Sequence, residues 1–294
     1  MEGFRQRTDL AAEARELAAA GKAEELEGVS FEEIAAEEFK YQKLSIANEA
    51  GAAAIGKPVG TYYTAFLSSV LRRESGSFIA AVSALAGLLR ELAGEPGGLS
   101  LVVGLGNRNI TPDAIGPVSA AAVLVTRHLK RHVPEDFAFL SPVAVVTPGV
   151  LGTSGIESAD YIKWICLRLR PDRVIVVDAL AARNPDRLCR TVQMTDTGIT
   201  PGSGVGNSRS AINKEMLGIP VIAIGVPTVI DIRSLLLDMG EGTLSKKAID
   251  ANAMIVTPRN IDSEVSCAGR VVAYAINLAL HNGLTVEDID MLIG

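Results

Sequence analysis

From Leu99 onward the sequence alternates short apolar runs with amphipathic segments, and this alternation limits the possible folds more than any other feature. The predicted strands are residues 101–105, 139–146, 174–178, 191–194 and 221–226. The predicted helices are residues 118–131, 158–170, 208–216, 230–238 and 262–281. Repeated strand–helix units of this kind are typical of a mostly parallel sheet with helices on both faces. The sequence therefore predicts one α/β domain.

The region before Leu99 has a different pattern and predicts helices. Thr8, Asp9 and Leu10 precede an Ala-rich run, as at a capped helix start. Residues 24–40 form a mostly acidic amphipathic segment that we expect to be helical, and residues 48–98 contain one or two helices between Gly/Pro breaks. The apolar run 78–89 is too short to span a membrane, which takes roughly 20 residues, and indicates a buried or subunit-interface helix.

Charge, cysteines and histidines exclude several classes of function. A net charge of -6 argues against a nucleic-acid surface. The opening residues have no apolar run of the kind that a signal sequence contains. The three cysteines lack metal or redox spacing, and this fits a reducing cytoplasm. His128 and His132 would share one helix face without a zincin motif, so a solvated face is the favoured interpretation.

Two acids follow predicted strands in the part of an α/β sheet where ligands gather. The stretch 100–117 runs from an apolar strand through a Gly-rich turn to Asp113, and Pro117 begins the next helix. The run 173–183 also ends its apolar part in an acid, Asp178. If these strands are parallel neighbours, both carboxylates point into one crevice at the carboxyl ends of the strands.

Such a pair can perform acid–base chemistry, because two adjacent carboxylates cannot both ionise cheaply. The ionised acid can deprotonate a water while the protonated one polarises a carbonyl. The alternative from spacing alone is that Asp113 and Asp178 cap helices or stabilise turns.

Several Gly-rich loops supply further candidates. Gly104 and Gly106 could cradle a phosphate, but the dinucleotide pattern is incomplete at Asn109, so a tight turn that lets backbone approach a substrate is favoured. Polar residues on this and the other Gly-rich loops either line a cleft or close turns. The substrate-cleft candidates are Gly104, Asn107, Thr153, Ser154, Glu157 and Asp196.

Five ordered motifs resemble those of the spore germination proteases, which are endopeptidases of spore-forming bacteria. The motifs are residues 104–107 (GLGN) with 111–117 (TPDAIGP), 148–157 (PGVLGTSGIE), 178–183 (DALAAR), 196–199 (DTGI) with 201–207 (PGSGVGN), and 218–228 (GIPVIAIGVPT). The resemblance starts at residues 7–11 (RTDLA), and the chain is shorter than the family pattern between Asp231 and Met254.

The resemblance implies an atypical aspartic endopeptidase whose core is similar to the hydrogenase-maturation endopeptidases, a phosphorylase/hydrolase-like α/β fold. Asp113 and Asp178 match the family's catalytic pair, with no cofactor or metal. The implied substrates are small acid-soluble spore proteins, cut after Glu and before a large apolar residue followed by Ala. The implied protein is a homotetramer of the forespore and spore-core cytoplasm, made as a zymogen that trims its own N-terminus.

Two other functions stay open from the sequence. A metal-dependent hydrolase of the hydrogenase-maturation type could use Asp113 and Asp178 as ligands, although no histidine can be assigned to it. The second open function is that of a non-catalytic binding or assembly protein.

The segment 8–11 imitates the implied cleavage sequence, with Asp in place of Glu. We expect the cut between Asp9 and Leu10, which makes residues 1–9 a propeptide and 10–294 a single peptidase domain with an N-terminal helical arm. Glu33, Ile34 and Ala35 match more closely in residue type, but they fall in a segment predicted to be helical, and a helix must unfold locally before cleavage.

Overall fold

The computed structural model describes residues 8–19, 26–35, 39–67, 70, 76–205, 209–238 and 254–293. Its strands form one nine-stranded sheet in the order β1-β2-β3-β7-β8-β6-β4-β5, with β9 paired to β8. The strands are β1 Val29–Ala35, β2 Lys40–Ile46, β3 Gly60–Phe66, β4 Ser100–Leu105, β5 Val143–Gly149, β6 Arg173–Ala182, β7 Thr191–Thr195, β8 Val221–Asp231 and β9 Ile255–Val256.

The helices lie between and beside these strands. They are α1 Ala11–Ala19, α2 Glu49–Ile55, α3 Ser77–Ala93, α4 Ile115–Ala121, α5 Arg127–His132, α6 Leu151–Ser154, α7 Ser158–Leu169, α8 Lys214–Leu217, α9 Ile232–Asp238, α10 Ile261–Leu280 and α11 Val286–Ile293. In the described part of the chain, no helix is both long and apolar enough to cross a membrane.

Helices cover both faces of the sheet, which confirms the predicted α/β class. On one face α3, α4, α10 and α11 pack on alternate residues of the central strands, such as Val102 and Ile175. On the other face α7 and α8 pack on the intervening residues, such as Leu101 and Val174. Because these strands are buried on both faces, they are apolar throughout and not alternating.

The sheet is mixed, which corrects the expectation of a mostly parallel one. Strands β5, β4, β6 and β8 are parallel, and this is the part that the strand–helix alternation predicts. Strands β8, β7, β3, β2 and β1 follow one another in antiparallel pairs. Antiparallel neighbours need no crossover helix, so these strands lack the alternation that indicates a parallel sheet.

The predicted helix at 24–40 is wrong, because β1 and β2 occupy this region. The seven residues of β1 pair with β2 from Val29 opposite Ile46 to Ala35 opposite Lys40. Their acidic residues face solvent from the sheet edge, so their charge does not indicate a helix. Farther along, β3 lies between α2 and α3, where only helices were predicted, while α1 starts where Thr8, Asp9 and Leu10 indicated.

Tertiary hydrogen bonds divide the predicted helix 118–131 into α4 and α5. Between them, the Leu124 N–H donates to the Asn277 side chain at 2.9 Å, and the Thr126 hydroxyl donates to the Ser141 carbonyl at 2.5 Å. The Ala122 and Val123 N–H groups bond only three residues back, and the Thr126 N–H donates to the Val143 carbonyl at 3.1 Å, so the α-helical pattern is interrupted here. The same contacts fix the segment before β5, which starts at Val143 and not at residue 139.

Two other predicted helices are shorter than expected. In place of 208–216 the structure has only α8, whose start is capped by the Asn213 side chain accepting from the Met216 N–H at 2.9 Å. Ile230 and Asp231 belong to β8, so α9 starts at Ile232. Residues 239–253, in the region that is short relative to the family pattern, lie outside the described residues.

Candidate active site

The two acids come from neighbouring parallel strands, as predicted. In the β4–β6 pairing, Gly104 lies opposite Val177, so both strands approach their carboxyl ends side by side. Asp178 is the next residue of β6, and Asp113 ends the 3-10 turn Thr111–Asp113 that follows β4. Both carboxylates line one cleft of about 370 Å³.

The loop after β4 fixes the Asp113 carboxylate. The Asn107 N–H donates to its Oδ2 at 2.7 Å, and the Thr228 hydroxyl of β8 holds the preceding carbonyl, that of Pro112, at 2.6 Å. Gly106 has a φ of 107°, and a Cβ there would lie 2.0 Å from the Asp113 carbonyl oxygen. The turn therefore requires glycine at this position.

The Asp178 side chain is almost fully buried, at 6% exposed, and its Oδ1 accepts from the Ala179 N–H at 2.9 Å. Burial raises the pKa of Asp178 well above its usual value, and the nearby charges of Asp113 and Asp9 raise it further. Burial also raises the pKa of Asp113, but the Asn107 N–H opposes this by stabilising the carboxylate. Asp178 is thus the acid more inclined to hold a proton, and Asp113 the one more inclined to ionise.

Two glycines in contact bring α4 close to the strands that hold the acids. A Cβ on Gly104 would lie 2.4 Å from the Gly116 carbonyl oxygen. A Cβ on Gly116 would lie 2.2 Å from the Leu105 carbonyl oxygen and 2.5 Å from that of Val177. Gly104, expected to line the cleft, instead allows this close packing between strand and helix.

The cleft has a largely apolar wall and one ion pair. Apolar residues on four different segments line it: Ile110, Val150 with Leu151, Val229 and Ile255. Glu157 also lines it, as predicted, and accepts from Arg209 Nη1 at 3.3 Å. Such a surface can accommodate a large apolar side chain beside the two acids.

The N-terminal segment lies in this site through Asp9. The Asp9 N–H donates to the Ala181 carbonyl at 2.9 Å, and the Ala181 N–H donates to Asp9 Oδ2 at 2.9 Å. The Ser203 hydroxyl donates to Asp9 Oδ1 at 2.6 Å. The Asp9 carbonyl accepts from Lys57 Nζ at 3.0 Å and from Gln193 Nε2 at 3.2 Å. Both the carboxylate and the carbonyl of Asp9 are therefore held by donors.

The residues after Asp9 are anchored separately. Leu10 is fully buried in an apolar cluster with Leu180, Ala182, Leu188 and Ile230. The Glu13 carboxylate, also fully buried, accepts from the Arg183 and Asn184 N–H groups at 2.7 and 2.9 Å. Helix α1 is thus fixed to the chain that follows β6 by bonds that do not involve Asp9, although the Thr8 hydroxyl also donates to Glu13.

Four of the other predicted cleft residues make local contacts outside the cleft lining. Asn107 orients Asp113 through its backbone N–H, as described above. The Thr153 and Ser154 hydroxyls donate to the Val150 carbonyl, which closes the turn at α6. Asp196 accepts from the Thr61 N–H at 2.9 Å beside the β3–β7 pairing.

Sequence reasoning missed Lys57, Gln193 and Arg209, and it assigned no role to Ser203, which lies in the motif 201–207. Lys57 lies in a turn and Gln193 in a strand, and neither belongs to a motif. The flanking glycines of Ser203 were the one available signal, because a Cβ on Gly204 would lie 2.1 Å from Asp9 Oδ2. Glycine there permits close approach to the carboxylate.

The three histidines lie away from the cleft lining. His128 and His132 are on α5, and His281 Nδ1 accepts from the Ser141 N–H in the core at 3.2 Å. Burial lowers the pKa of His281 to about 4, so its ring is neutral at neutral pH. Among the described residues, no group of three or more His, Cys, Asp or Glu side chains could hold a metal ion.

Comparison with known proteins gives consistent matches. The germination protease family matches residues 6–247. A germination protease of Clostridium perfringens is 38% identical, with 99% of each chain covered, and one of Caldanaerobacter subterraneus subsp. tengcongensis is 41% identical, with 98% of each covered. Among solved structures, the NiFe hydrogenase maturation protease HycI from Thermococcus kodakarensis KOD1 is 18% identical, with a TM-score of 0.37. The match covers 66% of this chain and 99% of that one. The chain belongs to the germination protease family.

Proposed function

We propose that this chain is an aspartic-type endopeptidase of the spore core that degrades small acid-soluble spore proteins during germination, cutting after Glu and before a large apolar residue. Family membership supports a peptidase. The observation that carries the aspartic mechanism is the pair formed by Asp113 and Asp178, which share one cleft and have unequal tendencies to ionise.

In the proposed mechanism, Asp113 is the base and Asp178 is the acid. The Asp113 carboxylate takes a proton from a water that attacks the scissile carbonyl carbon, while Asp178 donates its proton to the carbonyl oxygen. The resulting diol loses a proton back to Asp178 as the C–N bond breaks, and Asp113 passes its proton to the leaving nitrogen. Both acids return to their starting states, so no cofactor is consumed.

The test is replacement of each acid by its amide. We expect Asp113→Asn and Asp178→Asn each to abolish cleavage of a small acid-soluble spore protein while the fold is retained. The loss is on the order of several kcal/mol of transition-state stabilisation, and the two effects are not additive because the acids act as a unit. The exposed Asp186→Asn is the matched control and keeps its activity. Near-normal cleavage by either site variant would remove that acid from the mechanism.

Two measurements distinguish this proposal from the other functions. A metal-dependent hydrolase would contain stoichiometric metal on elemental analysis and would lose its activity with a chelator. A non-catalytic binding protein would not cut a peptide containing Glu-Ile-Ala. We expect metal-independent cleavage of that peptide.

We also propose that the chain removes its own residues 1–9 by cutting between Asp9 and Leu10. Support comes from the position of Asp9, which lines the cleft and lies close enough to Asp178 to raise its pKa. Mass spectrometry of the mature protein should find Leu10 as its first residue. An active enzyme that keeps residues 1–9 would contradict this site.

The second match to the cleavage sequence, at Glu33 and Ile34, lies in a strand and not in a helix, so no helix has to unfold before cleavage there. These residues lie in β1, hydrogen-bonded to β2, whereas the cleft is formed at β4 and β6, on the other side of β3, β7 and β8. A chain cannot cut itself there without moving this edge strand. A mature chain that begins at Ile34 would show that such a movement occurs.

A homotetramer remains part of the proposal. The predicted interface at 78–89 is mostly used within the chain, because α3 packs on the core and on α10. Exposed apolar side chains are instead available on α7, where Trp164 is 57% and Leu167 68% exposed. Light scattering should give about four times the chain mass of 30.9 kDa. A mass near that of one chain would contradict the tetramer.

A further inference from the structure

Asp9 lines two cavities, and three of its four donors line the second one. This second cavity, of about 260 Å³, is lined by Lys57, Gln193 and Ser203, and Asp9 and Leu180 line both cavities. Lys57 Nζ donates to the carbonyls of Thr8 and Asp9 at 3.3 and 3.0 Å. These two hydrogen bonds of the ammonium group are therefore both with residues that precede the proposed cut.

All four donors around Asp9 likewise form a hydrogen bond to a residue that precedes the proposed cut. The Ser203 hydroxyl and the Ala181 N–H hold its carboxylate, while Lys57 and the Gln193 amide hold its carbonyl. When residues 1–9 leave, these hydrogen bonds are lost together. The hydroxyl and the backbone N–H can then hold the side-chain carboxylate of another acidic residue, while the ammonium and the amide hold the backbone carbonyl of that residue.

Two details favour carboxylate binding over simple anchoring of the N-terminal segment. A Cβ on Gly204 would lie 2.1 Å from Asp9 Oδ2, so the backbone leaves room for one carboxylate oxygen. The anchoring itself is supplied elsewhere, by buried Leu10 and by the hydrogen bonds of Glu13.

We propose that these four donors form a subsite for an acidic residue, in which the Ser203 hydroxyl and the Ala181 N–H bind its side-chain carboxylate while Lys57 and Gln193 bind its backbone carbonyl. Asp9 occupies the subsite before processing, and the acidic residue that precedes the cut in a protein substrate occupies it afterwards. This inference rests on the proposed function. It assigns the recognition of the acid to donors contributed by the α2–β3 turn, β6, β7 and the loop after β7. The competing cation is Arg209, which lines the cleft but already pairs with the Glu157 carboxylate.

The first experiment follows substrate preference in the processed enzyme. Two peptides that differ only by Glu or Gln before the cut are compared by kcat/KM, and the Glu/Gln ratio is the measured quantity. We expect Lys57→Gln, which loses a hydrogen bond to the backbone carbonyl of the residue before the cut, to lower kcat/KM for both peptides alike. Ser203→Ala should lower the Glu/Gln ratio roughly 3- to 10-fold, because it removes a hydrogen bond to the side-chain carboxylate. Gly204→Ala, which fills the carboxylate position, should also lower it.

The matched control is Lys163→Gln on the exposed side of α7, which should keep the wild-type ratio. Equal losses on both peptides with an unchanged ratio in Ser203→Ala would assign Ser203 a structural role only and overturn the proposal. A ratio that falls for Arg209→Gln but not for Ser203→Ala would place acid recognition at Arg209, which also overturns it.

The second experiment does not need peptide cleavage. In full-length Asp113→Asn protein, which keeps residues 1–9 attached, hydrogen exchange is measured at the amides of Leu10 and Ala11. We expect Lys57→Gln and Ser203→Ala to accelerate this exchange roughly 10-fold, because they release Asp9. Unchanged exchange in both variants would overturn the subsite. If the wild-type enzyme cuts neither peptide, the proposed function fails, and this exchange result alone decides whether the donors hold Asp9.

Discussion

The contact between α4 and the two central strands predicts a large effect of one methyl group. In Gly116→Ala, the added Cβ would lie 2.2 Å from the Leu105 carbonyl oxygen and 2.5 Å from the Val177 carbonyl oxygen. Ordinary van der Waals contact begins near 3.4 Å. The obstructing atoms are backbone atoms of β4 and β6, so no side-chain rotation can relieve the overlap, and α4 must move outward by roughly 1 Å.

Two opposing contributions set the size of the effect on stability. Replacing a helical glycine by alanine is favourable by about 0.5–1 kcal/mol because the unfolded chain loses freedom. Overpacking a close contact costs typically 1–3 kcal/mol, and a clash with two fixed backbone segments belongs at or above the upper end. We therefore expect Gly116→Ala to lower the free energy of unfolding by about 2 kcal/mol or more.

Urea unfolding of Gly116→Ala beside Gly87→Ala measures this directly. Gly87 is also a helical glycine, but a Cβ there meets no atom within 4 Å, so its replacement should stabilise by up to about 1 kcal/mol. Since Asp113 lies just before α4, peptide cleavage by Gly116→Ala should fall as well. A Gly116→Ala protein as stable as the wild type would refute the reasoning that the glycine contact sets the position of α4.

Two further predictions concern buried carboxyl groups. Because burial and neighbouring charge raise the pKa of Asp178 above its unfolded value of about 3.9, the stability that its protonated form provides is complete below that pH and is lost as pH rises through the folded pKa. Asp178→Asn should thus gain stability relative to wild type between about pH 3.9 and the folded pKa, by about 1.4 kcal/mol for each unit of pKa difference. Urea unfolding measured across this pH range tests this, and a difference in unfolding free energy that does not change with pH would contradict it. Glu13→Gln should lower the free energy of unfolding, measured by thermal unfolding, by about 3 kcal/mol, because it breaks a buried ion pair with Arg187 and weakens two backbone hydrogen bonds. The exposed control Glu49→Gln should change stability little.

The sequence predicts the parallel half of the sheet and the meeting of the two acids. In β4, β6 and β8 the apolar runs are buried on both faces, so hydrophobicity alone marks them, and parallel pairing then brings their carboxyl ends together. The positions of the two acids follow from this topology, because Asp178 comes directly after the apolar run of β6 and Asp113 lies on the loop that follows β4.

Strands β1, β2 and β3 and the donors around Asp9 could not be predicted from local pattern, although β7 was. Strand β1 lies at the sheet edge and carries acidic side chains, so neither hydrophobicity nor composition distinguishes it from a solvated helix. The Ala11 N–H and the Gln193 side chain bond to each other at 2.6 Å across 182 residues of chain. A contact of this range depends on how the whole sheet brings α1 to β7, and no residue spacing encodes it.

The anchoring of α1 by Glu13 has a consequence for how a cut before Leu10 would act. While the chain is intact, Asp9 is tethered to a fixed helix, and its carboxylate meets its donors at an effective concentration in the millimolar range or above. After a cut, the same groups belong to a short free peptide, which dilution carries away although none of its contacts has changed. The switch would then be driven by the loss of intramolecularity, and helix α1 could stay where it is. Such a step requires no rearrangement of the sheet and reverses only if the peptide accumulates.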